Sequence, residues 1–195
     1  MKILIDNGHG ENTPGKRSPD GRLREYSWTR ECAVLLEKAL KARGHDTLRI
    51  VTETEDISLK ERCRRVNSIC REVGADNVIL ISIHNNAAGT GDKWYGARGW
   101  EAWTSVGKTK SDILATCLYE AAEKTNFKIR RDMTDGDPDK EGHLYILKHT
   151  LCPAVLTENL FQDNKEDVEF LLSDEGKQTI VDIHVEGIEK LVNTL

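Results

Sequence analysis

The chain has 195 residues, 38% of them hydrophobic and 31% charged, with a net charge of −5. That balance belongs to a globular chain able to bury one sizeable core, not to a disordered one. The mildly acidic total argues against a dedicated nucleic-acid binder, and no window holds the roughly 20 apolar residues that a membrane-spanning helix needs.

Taken in chain order, residues 2–6 (KILID) read as a strand. Over 27–43, Cys32, Leu35, Leu36, Ala39 and Leu40 recur at helical spacing, and Gly44 supplies the stop. Residues 46–52 read as a second strand. Residues 58–72 read as a helix, with Ser58 as N-cap and Glu61 completing a capping box. The run NVILISI at 77–83 lacks polar alternation and reads as a strand buried on both faces. A strand near 99–104, a helix at 110–125, strands at 144–148 and 153–157, and helices at 164–172 and 174–193 complete the order. This βαβα rhythm predicts an α/β fold: a single domain over 1–195 with a mostly parallel twisted sheet of about six strands and helices on both faces. No repeat, low-complexity tract or Pro/Gly/Ser linker interrupts it. Three polar loops do, at 10–24, 85–98 and 131–143, and loops of that length are usually functional or mobile.

The five cysteines, Cys32, Cys63, Cys70, Cys117 and Cys152, are odd in number and contain no CxxC pair. They read as buried reduced thiols, not as a disulfide or zinc-ribbon scaffold. The N-terminal MKILIDNGHG has too short an apolar run for a secretory leader. The expectation is therefore cytoplasmic synthesis, with release by lysis, or a mature form whose leader has been trimmed.

In open α/β sheets ligands sit at the carboxyl ends of the strands. Asn7-Gly8-His9-Gly10 follows the first strand, His84-Asn85-Asn86-Ala87 follows strand 77–83, and Glu158-Asn159 follows strand 153–157. Glu25, at the start of the first helix, can turn back to the same end. Two histidines and a glutamate, with a fourth position open to water, make a catalytic zinc pattern, and a further carboxylate can serve as general base. The glycines flanking His9 let the backbone bend there.

At this point the chain resembles the zinc-dependent N-acetylmuramoyl-L-alanine amidases of the amidase-3 type, over nearly its whole length. Gly8-His9-Gly10 is similar to the family's first zinc histidine, Glu25 in GRLREYSW to its glutamate ligand, and SIHNNA at 82–87 to SIHANA, which places the second histidine at His84. TETEDISLKERCRRVN (52–67), GWEAWT (99–104) and LYILKHTLCPAVLTENLFQDN (144–164) resemble further family motifs, the last placing the catalytic glutamate at Glu158. There are departures: the Asp-x-Gly-Ala continuation of the first motif is missing, Thr52-Glu53 stands for Thr-Arg, Asn85 for alanine, and Asn159-Leu160 for the Gly-Phe region.

The resemblance implies one Zn2+ per chain, held by His9, Glu25 and His84, with Glu158 handling the proton. The reaction implied is hydrolysis of the amide between the lactyl group of N-acetylmuramic acid and L-alanine in peptidoglycan, for wall lysis or remodelling, as in a phage or prophage endolysin. A monomer acting on glycan strand and stem peptide outside the cell is expected, with no nucleic-acid or membrane partner. Asn86, Glu101, Arg131 and His143 are the candidate substrate contacts; Arg130 or Arg131 could meet a stem-peptide carboxylate bidentately. Alternatives are a zinc peptidase or deacylase on another amide, and an inactive wall-binding module. Competent residues at all four active positions disfavour the latter.

The remaining features take plainer readings. His45 reads as a solvent or capping residue, His184 as packing or surface, and His149 as part of a turn between two strands. Segment 130–142 alternates acids but fails the calcium-loop template, with Pro138 inside it and Lys140 where glycine is needed. Trp100 and Trp103 should pack on opposite faces of the sheet, Trp94 and Tyr95 lie in a loop where sugar stacking is open to them, and helices 58–72 and 174–193 read as ordinary solvated faces.

Overall fold

Six strands form one sheet in the order β2-β1-β3-β6-β4-β5. The computed structural model describes residues 1–194. The strands are β1 (Lys2–Asn7), β2 (Asp46–Arg49), β3 (Val78–Asn86), β4 (Trp100–Thr104), β5 (Lys140–Glu141) and β6 (Ala154–Phe161). Every pairing is parallel except β4 against β6. The helices are α1 (Glu25–Ala42), α2 (Leu59–Val73), α3 (Lys110–Ala122), α4 (Tyr145–His149), α5 (Lys165–Leu172) and α6 (Asp174–Thr194).

Strand alternation divides the core in two. Ile3, Ile5, Ile79, Ile81, Trp100 and Val155 pack with α1, α3, α5 and α6 on one face. Leu4, Leu80, Leu156 and Trp103 pack with α2 and α4 on the other. Trp100 and Trp103 do take opposite faces. Burying each of these aliphatic side chains contributes about 1.5–3 kcal/mol. The chain leaves β1 for β2 on one side and returns to β3 on the other. The crevice at the carboxyl ends of β1 and β3 is therefore a topological switch point.

Several expectations need correction. The segment 144–148 is not a strand: Tyr145–His149 is a short helix whose consecutive Ile146 and Leu147 are both buried against the α2 side. A strand would turn those neighbours to opposite faces, and both edges of β6 are already taken by β3 and β4. The sixth strand is instead the two-residue β5 at the sheet's edge. His149 consequently ends a helix, stacking on Tyr145 with ring centroids 3.9 Å apart. The second strand stops at Arg49, and β6 runs on to Phe161. Arg62, on the supposedly solvated face of α2, is buried, while His184 on α6 takes the packing role open to it. All five thiols are buried and free. Among the described residues no helix is long and apolar enough to cross a membrane.

Between His84 and Asn86 the β3–β6 register slips by one residue. The extra residue falls in β6, where Leu160 takes φ 63°, an uncommon conformation for a non-glycine. The bulge lies immediately beyond Glu158 and turns Leu160 into the core beneath α5 and α6.

Candidate metal centre

Three strands carry a row of polar side chains on the α2/α4 face. His84 on β3 is paired with Glu158 on β6, and Glu158 with Glu101 on β4. Partners in register project to the same side, so one sheet face presents an imidazole and two carboxylates side by side.

His9 joins them from the turn after β1. Its φ of 60° is left-handed, and the two glycines around it have a steric reason. A Cβ on Gly8 would lie 2.5 Å from His84 Nδ1, and one on Gly10 would run into the Asp56 backbone. The turn is held by two arginines. Arg62 donates to Asp6 Oδ1 (2.6 Å), the Asn7 carbonyl (2.6 Å), the His9 carbonyl (3.1 Å), Asp56 Oδ1 (3.0 Å) and the Ile57 carbonyl (2.7 Å). Arg30 donates to the same His9 carbonyl at 3.0 Å. Ser82 completes the cluster by donating to Asp6 Oδ2 at 2.6 Å.

Glu25, the first residue of α1, is fully buried. Its Oε1 lies 3.4 Å from His9 Nε2 and 3.2 Å from His84 Nδ1. The Asn85 amide donates to Oε1 and the Gln162 side chain to Oε2, each at 3.1 Å. One donor atom each from His9, Glu25 and His84 falls within a 4.8 Å cluster. The imidazole rings meet edge to face, centroids 5.0 Å apart.

Electrostatics set these groups apart. Burial pushes the His9 imidazole down to about 4. Burial opposes charge on His84 and Glu25 too, but their hydrogen bond and the charges around them together outweigh it, holding His84 above and Glu25 below its ordinary range. Burial pushes Glu158 up to about 8, with the His84 charge pulling the other way. Its Oε2 is buried and without a hydrogen-bond partner. Two imidazoles and a carboxylate, converging and supported by outer hydrogen bonds, fit a divalent metal such as zinc. The orphaned Glu158 oxygen on the next strand suits a proton acceptor for a water held there.

The other candidate residues separate. Asn86 donates to Glu101 Oε1 at 2.9 Å. Glu101 also accepts from Trp103 Nε1 (3.1 Å), Arg130 (2.6 Å) and Lys140 (3.0 Å). Burial would raise its pKa, but the two cations outweigh it and hold the carboxyl below its ordinary range. With both oxygens engaged it is a structural anion. Arg131 pairs with Glu123 at the end of α3, and His143 is solvent-exposed ahead of α4. Trp94 packs partly against the core, and Tyr95 is exposed.

Sequence reasoning passed over Asp6, Arg30, Arg62, Asn159 and Gln162. For Arg62 a signal existed, since it shares a helical face with Cys63, Val66 and Cys70. Asn159 ties β6 to the site, donating to the His84 carbonyl (3.0 Å) and accepting from Trp100 Nε1 (2.9 Å).

The residues border a cleft of about 340 Å³ with Gly8, His9, Lys16 and Asp56 on one side, Leu144, Tyr145 and Ile146 on the other, and His84 and Glu158 between. A model of the N-acetylmuramoyl-L-alanine amidase family matches residues 3–190. The N-acetylmuramoyl-L-alanine amidase CwlM of Bacillus licheniformis is 33% identical over 99% of this chain and 69% of its own length. The endolysin of Bacillus phage SPP1 is 26% identical over 98% of this chain and 66% of its own length. The chain thus spans about two thirds of these relatives. The crystal structure of an N-acetylmuramoyl-L-alanine amidase from Clostridium difficile 630 superposes with a TM-score of 0.82 at 25% identity, covering 100% of this chain and 97% of that one.

Proposed function

The chain belongs to the N-acetylmuramoyl-L-alanine amidase family, and from that premise we propose that His9, Glu25 and His84 are its metal ligands and Glu158 its proton-transfer group. The chain is a hydrolase of the amide bond in peptidoglycan. The bond cut is the one joining the lactyl carbonyl of N-acetylmuramic acid to L-alanine. The observation that carries the residue assignment is the convergence of three donor atoms within 4.8 Å beside a buried carboxylate oxygen that has no partner.

The metal we assign is zinc, which when bound supplies a Lewis acid for the carbonyl and an acidified water. The remaining work falls to the chain. Glu158 takes the proton of the attacking water at Oε2 and returns it to the departing amine. A carboxyl whose burial disfavours its charged form is suited to carrying a proton through both steps. Arg62 and Arg30 hold the His9 turn, so the imidazole needs no rearrangement when the site is loaded. Gly8 leaves the room that the His84 ring occupies. The cell wall is the site of action, in lysis or remodelling.

The test is digestion of purified peptidoglycan followed by N-terminal labelling. New N-terminal L-alanine is expected, appearing in step with soluble fragments. Release of reducing sugar ends, or of a different N-terminal residue, would contradict the assignment.

A further inference from the structure

Of the cations bordering the cleft, one has no counter-ion. Arg62 is saturated by two carboxylates and three carbonyls. Farther along the sheet, Arg130 and Lys140 are neutralised by Glu101, and Arg131 by Glu123. Lys16 is half-buried and lines the cleft together with His9, His84 and Glu158. Among the described residues its ammonium makes no salt bridge and donates no hydrogen bond.

Its placement is fixed from two directions. The Lys16 carbonyl accepts from the Glu25 amide at 3.0 Å, and Arg17 bridges to Arg24. On the other side the loop is wedged against the next one: a Cβ on Gly91 would lie 2.8 Å from the Gly15 carbonyl. The side chain therefore starts from a segment tied directly to the Glu25 backbone. It also stands where the first family motif departs from its usual Asp-x-Gly-Ala continuation, in the stretch Pro14-Gly15-Lys16.

A half-buried ammonium without an anion is poorly solvated, and a ligand carboxylate would remedy that. In the substrate that follows from the proposed function, the glycan is neutral once its lactyl carboxyl is amide-bonded. The anions are on the stem peptide. The facing wall, Leu144 to Ile146, is largely apolar and suits a sugar face. We propose that Lys16 binds a carboxylate of the stem peptide and thereby sets the direction of the substrate, with peptide along the 10–24 loop and glycan against the α4 wall.

This rests on the amidase reading, and the test separates the two. Two muramoyl dipeptides are compared on the zinc-loaded enzyme, one with the α-carboxyl of its second residue free and one with it amidated. Wild type should cleave both, with a KM about ten-fold lower for the free acid, the size of one charged hydrogen bond. Lys16→Met should bring the KM ratio to about one with kcat for the acid little changed, while Lys16→Arg keeps the preference. A wild type that cleaves both without preference, or a Lys16→Met that lowers kcat at constant KM, overturns the inference and leaves the amidase reading standing. A wild type that cleaves neither overturns both.

Discussion

Replacing Gly8 by alanine would set a methyl group 2.5 Å from Nδ1 and 2.9 Å from Nε2 of His84. The backbone at position 8 is not left-handed, so alanine can adopt it, and the tightest conflict is with the ring. Ordinary contact begins near 3.4 Å, so the ring must retreat by about 1 Å, whereas metal–ligand distances tolerate about 0.2 Å. The His84 backbone cannot follow, because β3 is held by β1 and β6 on its two edges. Relief must come by rotation of the side chain, which costs about 0.5–1.5 kcal/mol and breaks the 3.2 Å contact with Glu25. Loss of a supporting partner weakens metal binding about 10–100-fold. Displacing a ligand should reach at least the upper end, roughly 3 kcal/mol. Zinc affinity measured against a competing chelator should therefore fall about 100-fold or more, while urea unfolding of the metal-free protein moves by no more than about 1.5 kcal/mol. Gly10→Ala should behave oppositely, since its Cβ meets the Asp56 backbone, which cannot rotate away, and folding itself suffers. A Gly8→Ala protein that binds zinc within three-fold of wild type, about 0.7 kcal/mol, would refute the placement of His84 as a ligand.

Arg62→Met strands the buried Asp6 carboxylate and should cost about 3–5 kcal/mol in urea unfolding; adding Asp6→Asn should recover part of that loss, and strict additivity would contradict the coupling. His184 is fully buried, with Nδ1 donating to the Ile180 carbonyl (2.7 Å) and Nε2 accepting from Thr157 (2.9 Å). Burial lowers it from 6.5 to about 4, so the fold excludes a proton that the unfolded chain accepts. Its stability contribution is complete above pH 6.5 and is lost as pH falls toward 4, by about 3 kcal/mol. Unfolding of wild type and His184→Gln, compared at pH 7.5 and 4.5, should show the smaller acid loss in the variant; equal losses would sink the idea.

Local pattern made much of the fold legible. The aliphatic runs of β1 and β3, the heptad-like face of α1 and the Ser58 cap of α2 each point to one structure at every level, which is why they read correctly. The 144–148 segment misled because Leu144 and Ile146 alternate like a strand, and only the occupied edges of β6 decide against it. The strand-end placement of His9, His84 and Glu158 follows from α/β topology, and Glu25 needed only a helix start nearby. What holds these residues was not legible. The Arg62 and Arg30 contacts to the His9 carbonyl join residues 53 and 21 positions apart, and hydrogen bonds to main-chain carbonyls leave no trace in residue type. The Asn159 and Gln162 contacts depend on a one-residue bulge that no local signal marks. Likewise Arg131 offers the same chemistry as Arg130, and only the fold turns one to Glu123 and the other to Glu101.

The central claim is that His9, Glu25 and His84 hold the metal while Glu158 moves the proton. It is tested most directly by measuring bound zinc and peptidoglycan turnover together in wild type, Glu158→Gln and His84→Ala. Glu158→Gln should keep one zinc per chain and lose about 10²–10⁴-fold in kcat. His84→Ala should lose the zinc and, with it, the activity, and excess zinc should restore neither in full. A Glu158→Gln enzyme with near wild-type turnover, or a His84→Ala protein that retains tightly bound zinc, would contradict the account.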